Sequence, residues 1–131
     1  MNEGSAPTLQ DARHRVEAAH LLHREGFPRD AISRAYYAVF NAAAALLEQE
    51  SDLNLTTHAG RLPHPTLIQR FGLHFVRDGP FVRDTARRID KLRQRRDACD
   101  YSAYQPSSDE VVQWLRFAST FLQQAGELMA R

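Results

Sequence analysis

Apolar residues recur every three or four positions along almost the whole chain, which is the spacing of amphipathic α-helices. The clearest case follows Pro28, where one helical face carries Ile32, Ala35, Tyr36, Val39, Ala43, Leu46 and Leu47. No segment alternates apolar and polar residues as a half-buried strand would, and no internal repeat or low-complexity tract interrupts the pattern. The sequence therefore predicts an all-α fold, an up-and-down bundle of four to five helices.

Capping residues and helix breakers set the limits of these helices. Thr8 followed by Asp11 resembles a capping box, and Ser107 followed by Glu110 is a capping box of the preferred residue types. Residues 51–65 are the least regular part of the chain and predict a loop. These signals divide the chain into five helical segments, which begin after Thr8, at Pro28, at Pro65, at Phe81 and after Ser107. We expect a disordered lead over residues 1–7 and a single domain over residues 8–131.

The composition is that of one globular domain. With 131 residues, 43% of them apolar, the chain is long enough to bury a core of its own. The longest apolar stretch, around Ala42–Leu47, is too short to cross a membrane, and no signal-peptide pattern is present, so we expect a cytoplasmic protein. A single cysteine, Cys99, excludes an internal disulfide and a multi-cysteine zinc site, and we expect it to be an unreactive packed thiol.

The predicted fourth helix, Phe81–Tyr101, places charge where its core-facing stripe should continue. The apolar arc of this helix holds Val82, Ala86, Ile89 and Leu92, and the next residues on the same arc are Arg93, Arg96 and Asp100. Its other basic residues, Arg83, Arg87, Arg88, Lys91 and Arg95, fall on the opposite side, where water is expected. Arginines and an aspartate on a buried face are unfavourable unless they are paired or used. This stripe is therefore the candidate site.

Two interpretations of the stripe follow from the residues themselves. In the first, Arg96 and Asp100, which are four residues apart, form an intrahelical ion pair. In the second, they line a polar pocket in the bundle or at a subunit interface, where guanidinium groups bind a phosphate in bidentate geometry. Tyr101 and Tyr104 can stack on a base or donate to a phosphate, or they can simply close the end of the bundle. The charge count supports phosphate contact, because seven basic residues and two acids lie between Arg83 and Arg96.

The histidines predict neither a metal site nor a cofactor site. His20 and His23 share a helix face, but no carboxylate pattern near them completes a ligand set, so solvated histidines are expected. His58 and His74 can approach a site only through the fold. Motifs of zinc proteases, phosphate-binding loops, dinucleotide-binding domains and serine hydrolases are missing from the sequence.

Three stretches, in this order and spacing, resemble HEPN domains (higher eukaryote and prokaryote nucleotide-binding domains). Residues 33–47, SRAYYAVFNAAAALL, resemble the second helix of the family. The region from His58 through residues 67–76, LIQRFGLHFV, is similar to the middle of a HEPN-like subgroup. Residues 92–101, LRQRRDACDY, resemble the Arg-x-x-Ala-Asp-Tyr element of that subgroup, with Cys99 in place of Ala. The resemblance extends from about residue 8 to residue 128.

The resemblance implies a helical bundle that forms homodimers and often pairs with a small nucleotidyltransferase in toxin–antitoxin or stress modules. Many HEPN proteins are metal-independent ribonucleases with an Arg followed four to six residues later by His, and two such sites meet across the dimer interface. In some toxin members the partner transferase attaches AMP to a tyrosine just beyond that His; Tyr101 or Tyr104 is the possible counterpart here. The resemblance implies no metal and no cofactor.

This chain departs from the family pattern at the histidine. From Arg96, the motif arginine, the positions for His hold Tyr101, Ser102 and Ala103, and the chain has no histidine after His74. Asp100 with Tyr101 matches the subgroup's own pair, but a carboxylate with an ordinary pKa is ionised at neutral pH, donates a proton poorly and repels phosphate.

Three hypotheses therefore remain open. In the first, Arg93, Arg96, Asp100 and Tyr101, with Tyr104 close by, line a homodimer cleft that binds a nucleotide or RNA phosphate or docks a nucleotidyltransferase. In the second, the protein is a divergent metal-independent ribonuclease toxin that uses Arg96, with Asp100 or Tyr101 replacing His. In the third, the charges form a purely structural cluster.

Overall fold

The computed structural model describes residues 8–49, 62–77 and 79–131, and within these ranges the chain is helical and contains no strand. Its α-helices are α1 (Leu9–Arg24), α2 (Pro28–Gln49), α3 (His64–Phe71), α4 (Thr85–Tyr101) and α5 (Ser108–Met129). The prediction of an all-α bundle is confirmed. None of the helices in the described ranges is long and apolar enough to span a membrane. The predicted disordered lead and most of the predicted loop lie outside the described residues, as does His58.

Helix α2 lies at the centre of the bundle and packs against α1, α3, α4 and α5. Its residues from Asn41 to Leu47 are all buried, and four consecutive alanines occupy positions 42–45. Small side chains let neighbouring backbones approach closely, so a helix surrounded on most sides can be buried without voids. The positions of the other four α-helices are therefore set by their packing on α2.

The predicted capping box of the first helix is present, but only half of the predicted box at Ser107 forms, because the Glu110 carboxylate accepts hydrogen bonds from Tyr104 and Trp114 instead. Thr8 and Asp11 form a capping box with Thr8 Oγ1 accepting from the Asp11 backbone N–H at 3.0 Å, and Ser107 Oγ accepts from the Glu110 backbone N–H at 3.1 Å. These bonds satisfy N–H groups that a helix leaves unpaired at its first turn. Each cap contributes on the order of 1 kcal/mol.

The predicted start of the fourth helix at Phe81 is wrong, because α4 begins at Thr85. The turn after Gly79 carries Phe81 into the core, where its ring lies 5.2 Å from that of Phe71 and 5.1 Å from that of Phe121. Val82 therefore points outward and is 64% exposed, contrary to its predicted place on the apolar stripe. Burial of the larger Phe81 side chain removes more apolar surface from water than burial of Val82 would, and the turn adopts the conformation that places Phe81 inside.

The predicted third helix changes its winding half-way. It begins at His64, one residue before the predicted Pro65, and α3 ends at Phe71; the π-helical segment Gly72–Arg77 follows. The wider winding still directs Phe75 into the core, where its ring stacks 5.3 Å from that of Phe71. Leu67, Ile68, Phe71 and Phe75 are all buried, so one face of the α-helical and π-helical turns packs on the core.

Candidate functional site around Arg96

Arg96 on α4 is buried against α2 and is only 9% exposed. Its Nη1 donates to the Tyr37 hydroxyl at 3.0 Å, and its Nη2 lies 3.0 Å from Asp97 Oδ1. Asp100 Oδ2 is farther, 3.7 Å from Nη1. The Nε atom is buried and has no hydrogen-bond partner among the described residues. A buried N–H group without a hydrogen-bond partner lowers the stability of the fold by about 1–3 kcal/mol. The Arg96 Nε–H can therefore still donate a hydrogen bond to one more acceptor.

Two consecutive tyrosines of α2 frame the guanidinium. The Cζ atom of Arg96 lies 5.1 Å from the ring centre of Tyr36 and 5.2 Å from that of Tyr37. The two rings meet edge to face, with centres 5.3 Å apart. Cation–π contacts at these distances hold the guanidinium in place and compensate part of its lost hydration. Arg96 is thus fixed in position before any ligand arrives.

His64, which the sequence did not single out, is the histidine that the fold brings to this site. Its Nδ1 lies 2.7 Å from the Tyr36 hydroxyl, and its ring stacks on Phe40 with centres 4.1 Å apart. His64 begins α3, so the docking of α3 on α2 carries it to the tyrosines that contact Arg96. The contact joins residues 28 positions apart, and helical periodicity within one segment cannot predict it.

The surroundings keep both members of this pair neutral. Burial lowers the pKa of His64, and the positive charges of Arg96 and Arg93 lower it further. Burial also raises the pKa of Tyr36. A neutral imidazole offers one N–H donor and one nitrogen lone pair, so His64 Nδ1 either donates a hydrogen bond to the Tyr36 oxygen or accepts one from its hydroxyl, depending on which ring nitrogen is protonated.

Carboxylates balance the arginines on the outer side of the site. Arg93 Nη2 lies 2.9 Å from Asp90 Oδ1, and its Nη1 lies 3.7 Å from Asp97 Oδ2. Asp97 therefore bridges the two arginines, while Asp100 contacts Arg96 alone. The side chains of Asp97 and Asp100 are 42% and 31% exposed, so they can turn toward water when another anion approaches.

A second arginine reaches Tyr37 from α1. The Cζ atom of Arg15 lies 6.0 Å from the Tyr37 ring centre, and its Nε is likewise buried without a hydrogen-bond partner among the described residues. Tyr37 is therefore contacted by two guanidiniums, each with an unpaired Nε. Sequence reasoning missed Arg15 because α1 and α4 are brought to Tyr37 only by packing on α2.

The structure separates the predicted site residues into two groups. Arg93, Arg96 and Asp100 lie together, whereas Tyr104 contacts a different set: its hydroxyl donates to Glu110 Oε1, and Arg95 lies 5.3 Å from its ring centre. The prediction that all three charges of the stripe face the core is wrong: Arg96 is buried, but Arg93 is half-buried and Asp100 is exposed, as is Tyr101 at the end of α4.

The end of α4 is held by an arginine of α2. Arg29 donates from both Nε and Nη2 to the Cys99 carbonyl oxygen, the Nε bond being 2.9 Å long, and from Nη2 to that of Ser102 at 2.6 Å. Cationic donors at a helix C-terminus satisfy carbonyl groups that the helix leaves unpaired and favour the negative end of its dipole. Arg29 thereby fixes the turn that carries Asp100 and Tyr101.

Neither a metal site nor a reactive thiol is found in the part of the chain that the structure describes. It contains no group of three or more histidine, cysteine or acidic side chains that could hold a metal ion. Cys99 is buried, and burial raises the pKa of its thiol to about 11. A thiol with that pKa is protonated at neutral pH and a weak nucleophile, in keeping with the expectation of a packed, unreactive cysteine.

Comparison with known proteins identifies the family. The model of the HEPN domain matches residues 7–128. The chain belongs to the HEPN domain family. A HEPN bundle of this kind agrees with the helices of the structure, and the resemblance stated from residues 33–47 and 92–101 is confirmed as to family.

Three relatives are similar to this HEPN protein. The protein named "Putative toxin MJ0605" of Methanocaldococcus jannaschii is 34% identical over 87% of this chain and 80% of its own length. A UPF0332 protein of Thermotoga maritima is 28% identical over 85% of this chain and 80% of its own. A UPF0332 protein of Pyrococcus horikoshii is 44% identical over 49% of this chain and 40% of its own.

Proposed function

We propose that this HEPN protein is the toxin-like member of a two-component module and binds the phosphate of a nucleotide or RNA at Arg96, in a cleft completed by a second copy of the chain. The observation that carries the proposal is the buried guanidinium of Arg96, which contacts two adjacent tyrosine rings and whose Nε has no hydrogen-bond partner among the described residues. The name of the Methanocaldococcus jannaschii relative supports the toxin-like assignment.

A phosphate would bind by replacing carboxylates on Arg96. The planar guanidinium matches two phosphate oxygens at once, and its contacts with the Tyr36 and Tyr37 rings restrict the side chain before the phosphate binds, so less side-chain entropy is lost on binding. Asp97 and Asp100 are exposed enough to turn away, and a facing protomer would exclude water from the cleft and strengthen the remaining charge interactions. Exposed Tyr101, which follows Asp100 in the chain, is the proposed contact for a nucleotidyltransferase partner.

The first prediction concerns Arg96→Lys, which keeps the charge and removes the two-pronged geometry. We expect its affinity for adenosine monophosphate to fall by about 10- to 100-fold, corresponding to hydrogen bonds with a charged group worth roughly 1.5–3 kcal/mol. Isothermal titration calorimetry of the whole chain measures this, with exposed Arg24→Lys as the matched control and light scattering to establish a dimer. Equal affinities of the two variants for adenosine monophosphate would contradict the proposal. It would also be contradicted if the wild-type chain neither binds adenosine monophosphate nor captures a nucleotidyltransferase in a pulldown.

His64 favours a second candidate function, metal-independent RNA cleavage. In the tautomer of the neutral imidazole that carries its proton on Nδ1, the Nδ1–H donates a hydrogen bond to the Tyr36 oxygen, and Nε2 keeps a lone pair that can act as a base. Such a base removes the proton of a ribose 2′-hydroxyl, the 2′-oxygen attacks the adjacent phosphorus, and the bond from phosphorus to the 5′-oxygen breaks. The leaving oxygen takes a proton from water, and the product is a 2′,3′-cyclic phosphate. Arg96 would stabilise the charge of the five-coordinate state.

The second prediction tests this cleavage with a labelled single-stranded RNA. Wild-type protein is expected to produce the cyclic phosphate, and His64→Gln to lower the rate by about 10²–10⁴-fold, the usual contribution of a proton-transfer group. Arg96→Lys should reduce cleavage as well. His74→Gln, which changes an exposed histidine, is the control. Cleavage by His64→Gln at the wild-type rate would exclude His64 as the base. If the wild-type chain does not cleave the RNA, the cleavage function is ruled out and only the proposed phosphate binding remains.

A further inference from the structure

A basic groove runs between α4 and α5, away from Arg96. We call it the α4–α5 groove and define it by its polar lining, Arg87, Arg88, Lys91, Arg95, Gln113 and Arg116. It consists of two cavities of about 640 and 430 Å³ that share Arg88 and Gln113. Both helices pack on α2, and long side chains bridge the space between them, so an open channel remains along the surface.

The charge in this groove is predominantly positive and available. Five cationic side chains line it against two carboxylates, Asp84 and Glu110. Glu110 is already engaged by Arg95 at 3.4 Å and by the Trp114 indole N–H at 3.2 Å. The exposed Arg87, Lys91 and Arg116 form no ion pair with any residue that the structure describes. The groove is therefore an unneutralised cationic surface.

The spacing of the cations suits an extended chain of anions. The α4 residues of the groove recur once per turn from Arg87 to Arg95, and a helix rises 1.5 Å per residue, so the row is about 12 Å long. A strand of stacked nucleotides places phosphates about 3.4 Å apart along its helix axis, so the row spans roughly three to four nucleotides of a strand in that geometry and fewer of a fully extended one. Arg88 lies 4.3 Å above the Phe117 ring, a stacked position that leaves its N–H edges available to phosphate.

The groove and the Arg96 site occupy opposite flanks of one helix. Around α4, the row from Arg87 to Arg95 faces α5 and water, the core residues Ile89 and Leu92 come next, and Arg96 faces α2. A substitution in the groove therefore leaves the contacts of Arg96 intact. The two surfaces can be tested separately.

We propose that the α4–α5 groove binds the backbone of single-stranded RNA without sequence preference. The polyanion is inferred from the cationic row, and its identity as RNA rests on the proposed function. An acidic protein segment fits less well, because the aromatic residues that would anchor it, Trp114 and Phe117, are only 9% and 7% exposed. A duplex would need a broader surface than one row of side chains.

The third prediction uses the neutralising variant Arg87→Gln/Lys91→Gln/Arg116→Gln. Fluorescence anisotropy with a labelled ten-nucleotide oligouridylate, measured over a series of salt concentrations, gives the slope of log affinity against log salt. Three lost phosphate contacts should lower that slope by about 2, at roughly 0.7 per contact for single strands, and weaken binding at low salt by at least tenfold. The matched control, Arg13→Gln/Arg24→Gln/Arg131→Gln, removes the same charge from exposed positions outside the groove.

Three outcomes would overturn the inference. They are equal losses in both triple variants, no binding of the oligouridylate by the wild-type chain, and competition by polyglutamate as strong as that by unlabelled RNA. Binding of adenosine monophosphate separates this result from the Arg96 proposal, because the groove variant should retain it and Arg96→Lys should lose it. If wild-type protein binds the oligouridylate but not the mononucleotide, the Arg96 site fails, and the groove is supported provided that only the groove variant loses affinity for the oligouridylate.

Discussion

A buried guanidinium needs an acceptor for each of its N–H groups, and among the residues that the structure describes Arg96 has none for its Nε. Arg96 is 9% exposed, so the missing bond is not supplied by bulk water, and its absence destabilises the fold by about 1–3 kcal/mol. Apolar side chains of similar volume often replace a buried ion cluster without loss of stability. An arginine in this position is thus better explained by what it can bind than by what it adds to the core.

At the same scale, His64 gives the fourth prediction, a pH dependence of stability. The pKa of His64 in the folded chain lies below its ordinary value of 6.5, so the unfolded chain takes up the proton first as the pH falls. The stability contributed by neutral His64 is present above pH 6.5 and decreases as the pH drops below it. We expect the free energy of unfolding to fall more steeply between pH 7 and 5 in wild-type protein than in His64→Gln.

Urea denaturation at several pH values measures this difference. His74→Gln, an exposed histidine in the π-helical segment, serves as the matched control. A slope that changes no more in His64→Gln than in His74→Gln would contradict the lowered pKa of His64 and, with it, the neutral pair with Tyr36.

At the scale of the element, the C-terminus of α4 depends on a side chain from another helix. Arg29 holds the Cys99 and Ser102 carbonyl groups, and the helix ends between them at Tyr101. The hydrogen bonds from Arg29 to these carbonyl groups also fix Asp100 and Tyr101, so they hold both the end of the helix and part of the candidate site. An element that ends without a glycine cap is thus completed by α2.

The fifth prediction follows from this contact. Arg29→Met keeps the aliphatic stem and removes the donors, so we expect the free energy of unfolding to fall by about 1–3 kcal/mol. Urea denaturation monitored by circular dichroism measures the loss, with exposed Arg24→Met as the comparison. If Arg29→Met is no less stable than Arg24→Met, the three hydrogen bonds do not stabilise the fold.

At the scale of the whole molecule, the periodic segments predicted the bundle, and the wheel of the fourth helix predicted that Arg96 is buried. Both follow from local spacing within one helix. The prediction that Val82 faces inward was wrong because Phe81 competes for the same space, and that competition is decided by Phe71 and Phe121 on other helices. Periodicity ranks faces within a helix and does not compare neighbouring residues across the core.

The partners of Arg96 could not be predicted for a related reason. Tyr37 is 59 residues away in the chain, and His64 reaches the site only because α3 docks on α2. The resemblance pointed to the stretch that contains Tyr36 and Tyr37, but not to their contact with the motif arginine. Contacts between distant segments depend on which helices pack together, and a single sequence does not specify this.

The central position of α2 has a thermodynamic consequence. Because α1, α3, α4 and α5 all pack on α2, its loss would remove packing contacts from every outer helix at once. We therefore expect the domain to unfold as one cooperative unit. A ligand bound on either flank of α4 then stabilises every helix at once, since its binding free energy is added to the single global transition.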